Sequence, residues 1–175
     1  MKISKSGCCS CNGGCCSPKR EEKKIVIDFL FLDLSICERC KGTEKNLIDA
    51  ITDVSQILNV AGYEVIINKI NITSKEQAIE YKFKSSPTIR INGRDIDANI
   101  KETECECCGD LCGESVDCRV WEYEGEEYTE PPIALIVNAI LNEVYNENKV
   151  IEKDNEYTLP HNLEVFFEGK SKKES

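Results

Sequence analysis

The stretch "KIVIDFLFLDLSICERCKGTEKNL", residues 24–47, constrains this chain more than any other. Its first half is a nearly unbroken apolar run, rich in β-branched and aromatic residues. Such a run reads as a strand buried on both faces, interior to a sheet and parallel to a neighbour. Cys37 and Cys40 follow directly. Leu47, Ile48, Ile51, Val54, Leu58 and Ala61 then recur at helical spacing, and Gly62 supplies a stop. Two thiols therefore stand where a strand ends and a helix begins. Unpaired N–H groups and the macrodipole at such a point favour an anion, so Cys37 is expected to be the thiolate and the attacking sulfur. Arg39 and Lys41 would reinforce that charge and Glu38 would oppose it. Cys40, one turn on, can resolve a mixed disulfide. Two other readings of the pair stay open: small buried hydrophobes, or half of a metal site.

The rest of the chain supplies a mixed set of elements. "YEVIINKINI" reads as a second strand, and Ser74 with Gln77 as a capping box opening a short helix. In "SSPTIRINGRDID", Asn92-Gly93 between extended segments signals a hairpin, with Pro87 just before its first arm. "RVWEYEGEEY" is expected to be extended. Pro131-Pro132 fits the start of a last helix that buries Ile133, Ile136, Val137, Ile140, Leu141 and Val144. The order is strand, helix, strand, helix, strand, strand, helix. Its first three elements demand a parallel pair with a crossover. The domain is expected over 23–165, with a cysteine-rich insertion at about 102–118. A flexible cysteine-rich arm is expected over 1–22 and a frayed tail over 166–175.

The chain holds 12 cysteines, and they fall into three groups. Cys8, Cys9, Cys11, Cys15 and Cys16 lie in the arm, Cys37 and Cys40 at the helix start, and Cys105, Cys107, Cys108, Cys112 and Cys118 in the insertion. Residues joined by a trans peptide have Cα atoms ~3.8 Å apart, whereas ordinary disulfides need roughly 4.4 Å or more. Cys8-Cys9, Cys15-Cys16 and Cys107-Cys108 are thus awkward disulfides, but each pair can grip a soft ion. Thiolates select zinc, copper(I) and iron–sulfur clusters, and by extension mercury and arsenite. Cys105, Cys107, Cys108 and Cys112 are expected to form a four-thiolate zinc site, with Cys118 as a spare or alternative ligand. The spacing is not that of a standard zinc knuckle, and the common iron–sulfur spacing is absent.

Charge and hydropathy bound the partners. A formal net charge of −10 leaves few clustered cations to displace counterions, so nucleic acid and anionic lipid are not expected. No apolar run reaches the length of a membrane span, and the first twenty residues lack the apolar stretch of a secretory signal. A cytoplasmic protein is expected, in which thiols stay reduced and serve metal or redox chemistry.

C-x-x-C at the first helix start, followed by Ser86-Pro87-Thr88 opening the third strand, resembles the thioredoxin superfamily across about residues 24–147. The resemblance implies a thioredoxin-like α/β fold: a mixed four-stranded sheet flanked by helices, with the cysteine-rich insertion before the last helix. It also implies a cis Pro87 packed beside the thiols; the residues alone equally allow an ordinary trans proline on an edge strand. "SPTIRING", the insertion followed by Arg119-Val120-Trp121, and "LPHNLEVFF" are similar to a microbial thioredoxin-like family of unknown function. The adjacent cysteines resemble those of arsenic metallochaperones. The expected function is thiol–disulfide exchange through Cys37, Cys40 and Pro87, needing no cofactor, with a protein dithiol, disulfide or reductase as partner. The alternative is binding or delivery of a soft metal or metalloid such as zinc, arsenite or mercury, with Cys37 and Cys40 as part of the site and the other ligands from the insertion or the arm. A third reading is an adaptor with structural zinc in the insertion.

Overall fold

The computed structural model describes residues 23–146 and 156–175. The expected arm at 1–22, with Cys8, Cys9, Cys11, Cys15 and Cys16, lies outside the described residues. The apolar run forms β1 (Lys23–Phe31), which is followed by α1 (Glu38–Val60) and β2 (Tyr63–Asn71). β1 and β2 pair in parallel from Lys23↔Tyr63 to Phe31↔Asn71. α2 (Lys75–Glu80) opens on Ser74, whose Oγ accepts from Gln77 N–H at 3.3 Å. The Gln77 side chain reaches back to Thr73 N–H at 2.8 Å, one residue earlier than a capping box requires. β3 (Thr88–Ile91) and β4 (Arg94–Asp95) form the expected hairpin, with Asn92 and Gly93 at φ 50° and 83°. β3 runs antiparallel to β1, and the four strands are ordered β2-β1-β3-β4.

Period-two patterning places Ile25, Ile27, Phe29 and Phe31 on one face of β1, all buried, with Phe29 and Phe31 stacked at 5.2 Å. Burial of each such side chain contributes about 1.5–3 kcal/mol. α1 buries Leu47, Ala50, Ile51, Val54 and Leu58 and packs against β2 and α4 (Ile133–Tyr145). Ile48, expected on the buried face, is largely exposed. It sits about 100° around the helix from Leu47, and that turn takes it off the stripe.

The insertion is more ordered than its composition suggests. It supplies most of β5 (Lys101–Glu104), α3 (Glu106–Cys112) and the start of β6 (Asp117–Tyr123), which pairs with β7 (Glu126–Tyr128). These strands make a second sheet, ordered β5-β6-β7. A buried arginine rivets the two sheets. Arg119 of β6 donates to both Asp95 carboxylate oxygens at 2.8 Å and to the Asp97 carbonyl at 2.6 Å, and it stacks on Trp121 at 4.1 Å. Its backbone N–H reaches the Ser86 carbonyl at 2.8 Å.

The C-terminal segment departs from expectation. Residues 166–175, expected to fray, instead continue α5 (His161–Glu174), which buries Leu163, Phe166, Phe167 and Gly169. α5 packs on α3 and α2. At Gly169 the approach is so close that a Cβ would lie 2.5 Å from the Cys112 carbonyl oxygen. Of the lysines that give this segment a solvated look, Lys173 reaches α3, where its Nζ donates to the Asp110 carbonyl. Among the described residues there are five helices, and none is long and apolar enough to cross a membrane.

Candidate metal centre

The end of β1 and the start of β3 are neighbours, because Leu30 pairs with Thr88. The loop after β1 therefore meets the Ser86–Pro87 segment, whose peptide bond is cis. Leu32 N–H donates to Ser86 Oγ at 3.2 Å, and Ser86 Oγ lies 3.5 Å from Cys40 Sγ. Asp33 shapes the approach to Cys37: its Oδ1 accepts from the N–H groups of Ser35 and Ile36 at 2.7 and 2.8 Å, an Asx turn. Cys37 is the N-cap of α1, extended at φ −73° and ψ 106°.

The insertion folds onto this corner. Cys105 is the N-cap of α3, Cys108 lies one turn into it, and Cys118 comes from β6. The sulfurs of Cys37, Cys105, Cys108 and Cys118 all lie within 4.8 Å of one another, and all four residues are buried. Cys118 Sγ donates to Cys108 Sγ at 3.2 Å, and Cys108 Sγ to Cys37 Sγ at 3.9 Å. A tetrahedral zinc–thiolate centre with bonds of about 2.3 Å places its sulfurs about 3.8 Å apart. The observed spacings bracket that value, so the group could hold one ion. A polynuclear iron–sulfur cluster needs its cysteines spread around several metal atoms.

The expected ligand set is corrected in two places. Cys107 and Cys112 do not join the group: Cys107 is half-buried, and Cys112 Sγ points to the carbonyls of Gly109 and Glu114 at 3.7 and 3.6 Å. Cys118, expected as a spare or alternative ligand, and Cys37, expected as the redox nucleophile or as half of a metal pair with Cys40, take their places. The sequence does carry a signal, since Cys105 and Cys108 have the two-residue spacing of zinc half-sites. Cys107, inside that spacing, obscures it. All seven described cysteines are free thiols.

The electrostatics are those of one thiolate among thiols. The Cys37 pKa is strongly lowered because the thiols of Cys105, Cys108, Cys118 and Cys40 donate to its sulfur, and burial only partly opposes this. The expected direction holds, but neighbouring thiols rather than the helix start are its main cause. Cys105 is lowered to about 6 by donation from Cys108 and Cys118. Cys40 is pushed up by its own donation to Cys37, then by burial and the adjacent charge. Cys108 and Cys118 are pushed up chiefly by donating to Cys105.

Arg39 has a role that its sequence neighbours do not signal. Its guanidinium does not pair with a thiolate but straps the insertion to α1. Nη1 donates to the carbonyls of Thr103 and Cys118 at 3.2 and 3.0 Å, and Nη2 to that of Glu104 at 2.7 Å. Lys41 pairs instead with Glu38 at 2.8 Å. The positive charge still stands beside the group, on the backbone of one of its four residues.

The chain is similar to an uncharacterized protein of Archaeoglobus fulgidus, 32% identical over 105 residues that cover 58% of this chain and 74% of that one. No solved structure matches it. A family model matches residues 25–140, a span that holds all four clustered cysteines along with Cys40 and Pro87. The chain therefore belongs to the family described as a domain of unknown function, DUF2703.

Proposed function

We propose that this protein binds a soft metal, holding one thiophilic ion such as zinc between Cys37, Cys105, Cys108 and Cys118. The observation that carries this reading is the mutual approach of four buried sulfurs within 4.8 Å. Four protein ligands leave no open coordination position, which suits holding or handing over an ion rather than hydrolytic chemistry. The thiols call for a reducing compartment, so the cytoplasm is the proposed location. The net charge of −10 argues against a nucleic-acid partner.

The test is elemental analysis of protein purified anaerobically and supplied with zinc, beside a count of free thiols. The chain with intact cysteines should hold one ion more than Cys108→Ser, whereas Cys107→Ser should match the intact chain. Equal metal content in the intact chain and Cys108→Ser, with all thiols free, would remove this reading.

A second reading, thiol–disulfide exchange on a thioredoxin-like scaffold, rests on the cis Ser86–Pro87 bond beside Cys40. The sheet order β2-β1-β3-β4, with its parallel first pair and antiparallel hairpin, is compatible with that scaffold. Cys37 and Cys40 are fully buried beneath the insertion. A protein disulfide reaches them only if the insertion moves away.

A further inference from the structure

Cys37 belongs to two groups at once. It is one of the four clustered sulfurs, and it is the first member of the Cys37/Cys40 pair. Residues three apart on a helix are surface neighbours. Cys40, at N3 of α1 and one turn on from the N-cap Cys37, has Ser86 Oγ at 3.5 Å. The remaining described thiols stand differently. Cys112 is engaged with two carbonyls, and Cys107 is half-buried on the rim. Cys40 is therefore a fully buried thiol one helical turn from a candidate ligand and outside the four-sulfur group.

Building on the metal-binding reading, we propose that Cys40 is the redox trigger of the centre: oxidation of Cys37 and Cys40 to a disulfide withdraws one ligand and releases the ion. An ion held by three thiolates is open to competing ligands, whereas four enclose it. Cys37, Cys40, Cys108 and Cys118 have no exposed surface and Cys105 has 4%. The oxidant that enters is thus small and neutral, of the hydrogen peroxide class, rather than a protein disulfide.

The chemistry balances in two steps. Peroxide oxygen is attacked by the Cys37 sulfur, its O–O bond breaks, and Cys37 becomes a sulfenic acid; with one proton taken up, the leaving oxygen departs as water. The Cys40 sulfur then attacks the Cys37 sulfur, the S–O bond breaks, and the hydroxyl leaves as a second water with the Cys40 proton. The two sulfurs together lose two electrons and the peroxide gains two. A dithiol reductant returns the pair to its starting state by exchange.

The experiment loads the full-length chain with zinc, adds hydrogen peroxide, and follows zinc release with a colorimetric chelator while mass spectrometry maps disulfides. Release from the centre is taken as the difference between each protein and Cys108→Ser. The intact chain should release the ion as a Cys37–Cys40 disulfide forms, and dithiothreitol should restore binding. Cys40→Ser should retain the ion and release it about tenfold more slowly or worse. Cys40→Ala serves equally if the serine variant folds poorly, and disulfide mapping on the intact chain needs no variant. Release at an unchanged rate in either variant would overturn the proposal. So would a disulfide among Cys105, Cys108 and Cys118 in place of Cys37–Cys40. If the intact chain and Cys108→Ser hold equal zinc before any oxidant is added, the metal-binding reading has failed instead.

Discussion

The two sheets of this protein are held by different forces. The sheet around β1 is an apolar core: Ile25, Ile27, Phe29, Leu30 and Ile89 are buried together, and α1 closes over them. The sheet around β6 has fewer apolar positions, chiefly Val120 and Trp121, buried with Val116 beside them. β5 exposes three of its four residues. The insertion is fixed by the buried face of α5 and also by polar and sulfurous contacts: the Arg119–Asp95 ion pair, the Arg39 strap and the four-cysteine group. Burial of apolar surface is non-directional and present whenever the chain is folded. A thiolate centre stabilises only when its ion is bound, because binding energy at such a site is folding energy. On the metal-binding reading, one chain carries an unconditional half and a half that its ion reinforces.

The largest effect that would break this contrast comes from removing the ion. Chelation should speed amide exchange in β5, α3 and β6 by about 100-fold or more, as local opening becomes easier. Amides of β1 and α1 should keep their protection in the same hydrogen-exchange experiment. Uniform loss across both sheets would show that the halves are not separable. The converse perturbation is Phe29→Ala, which leaves a cavity under β1 and should cost about 3–5 kcal/mol in denaturant melts. Its zinc content per folded chain should not change. A smaller effect is expected at the seam. Arg39→Ala removes three hydrogen bonds to carbonyls that water can partly replace, for a local cost of about 1–2 kcal/mol. It should appear as faster exchange in β5 and faster loss of zinc to a competing chelator, with the main unfolding transition nearly unmoved.

The same contrast governs which parts of the molecule are legible in its sequence. The β1 run, the α1 stripe and the Asn92-Gly93 turn announce themselves because their patterns are local and periodic. The cis Ser86–Pro87 bond is reachable only by resemblance. The centre is half legible. Cys105, Cys108 and Cys118 stand out as candidates, but the fourth sulfur comes from Cys37, 71 residues before Cys108 along the chain. No spacing rule spans that interval; only the pairing of β1 with β3 and the fold of the insertion bring them together. Arg39 reads as a charge near a thiolate because its true partners are backbone carbonyls, which carry no sequence signature. The last turns of α5 are hidden by Lys170, Lys172 and Lys173, which outweigh Gly169 in a reading by composition.

The seat of Gly169 on the Cys112 carbonyl has a practical use. Backbone touches backbone there, so no flexible side chain lies between the two helices at that point to absorb a shift of α3. The final helix of the chain thus serves as a gauge of the cysteine-bearing one: a pair of probes straddling that contact would register rearrangement of the thiols as a change in separation, with no label on any sulfur.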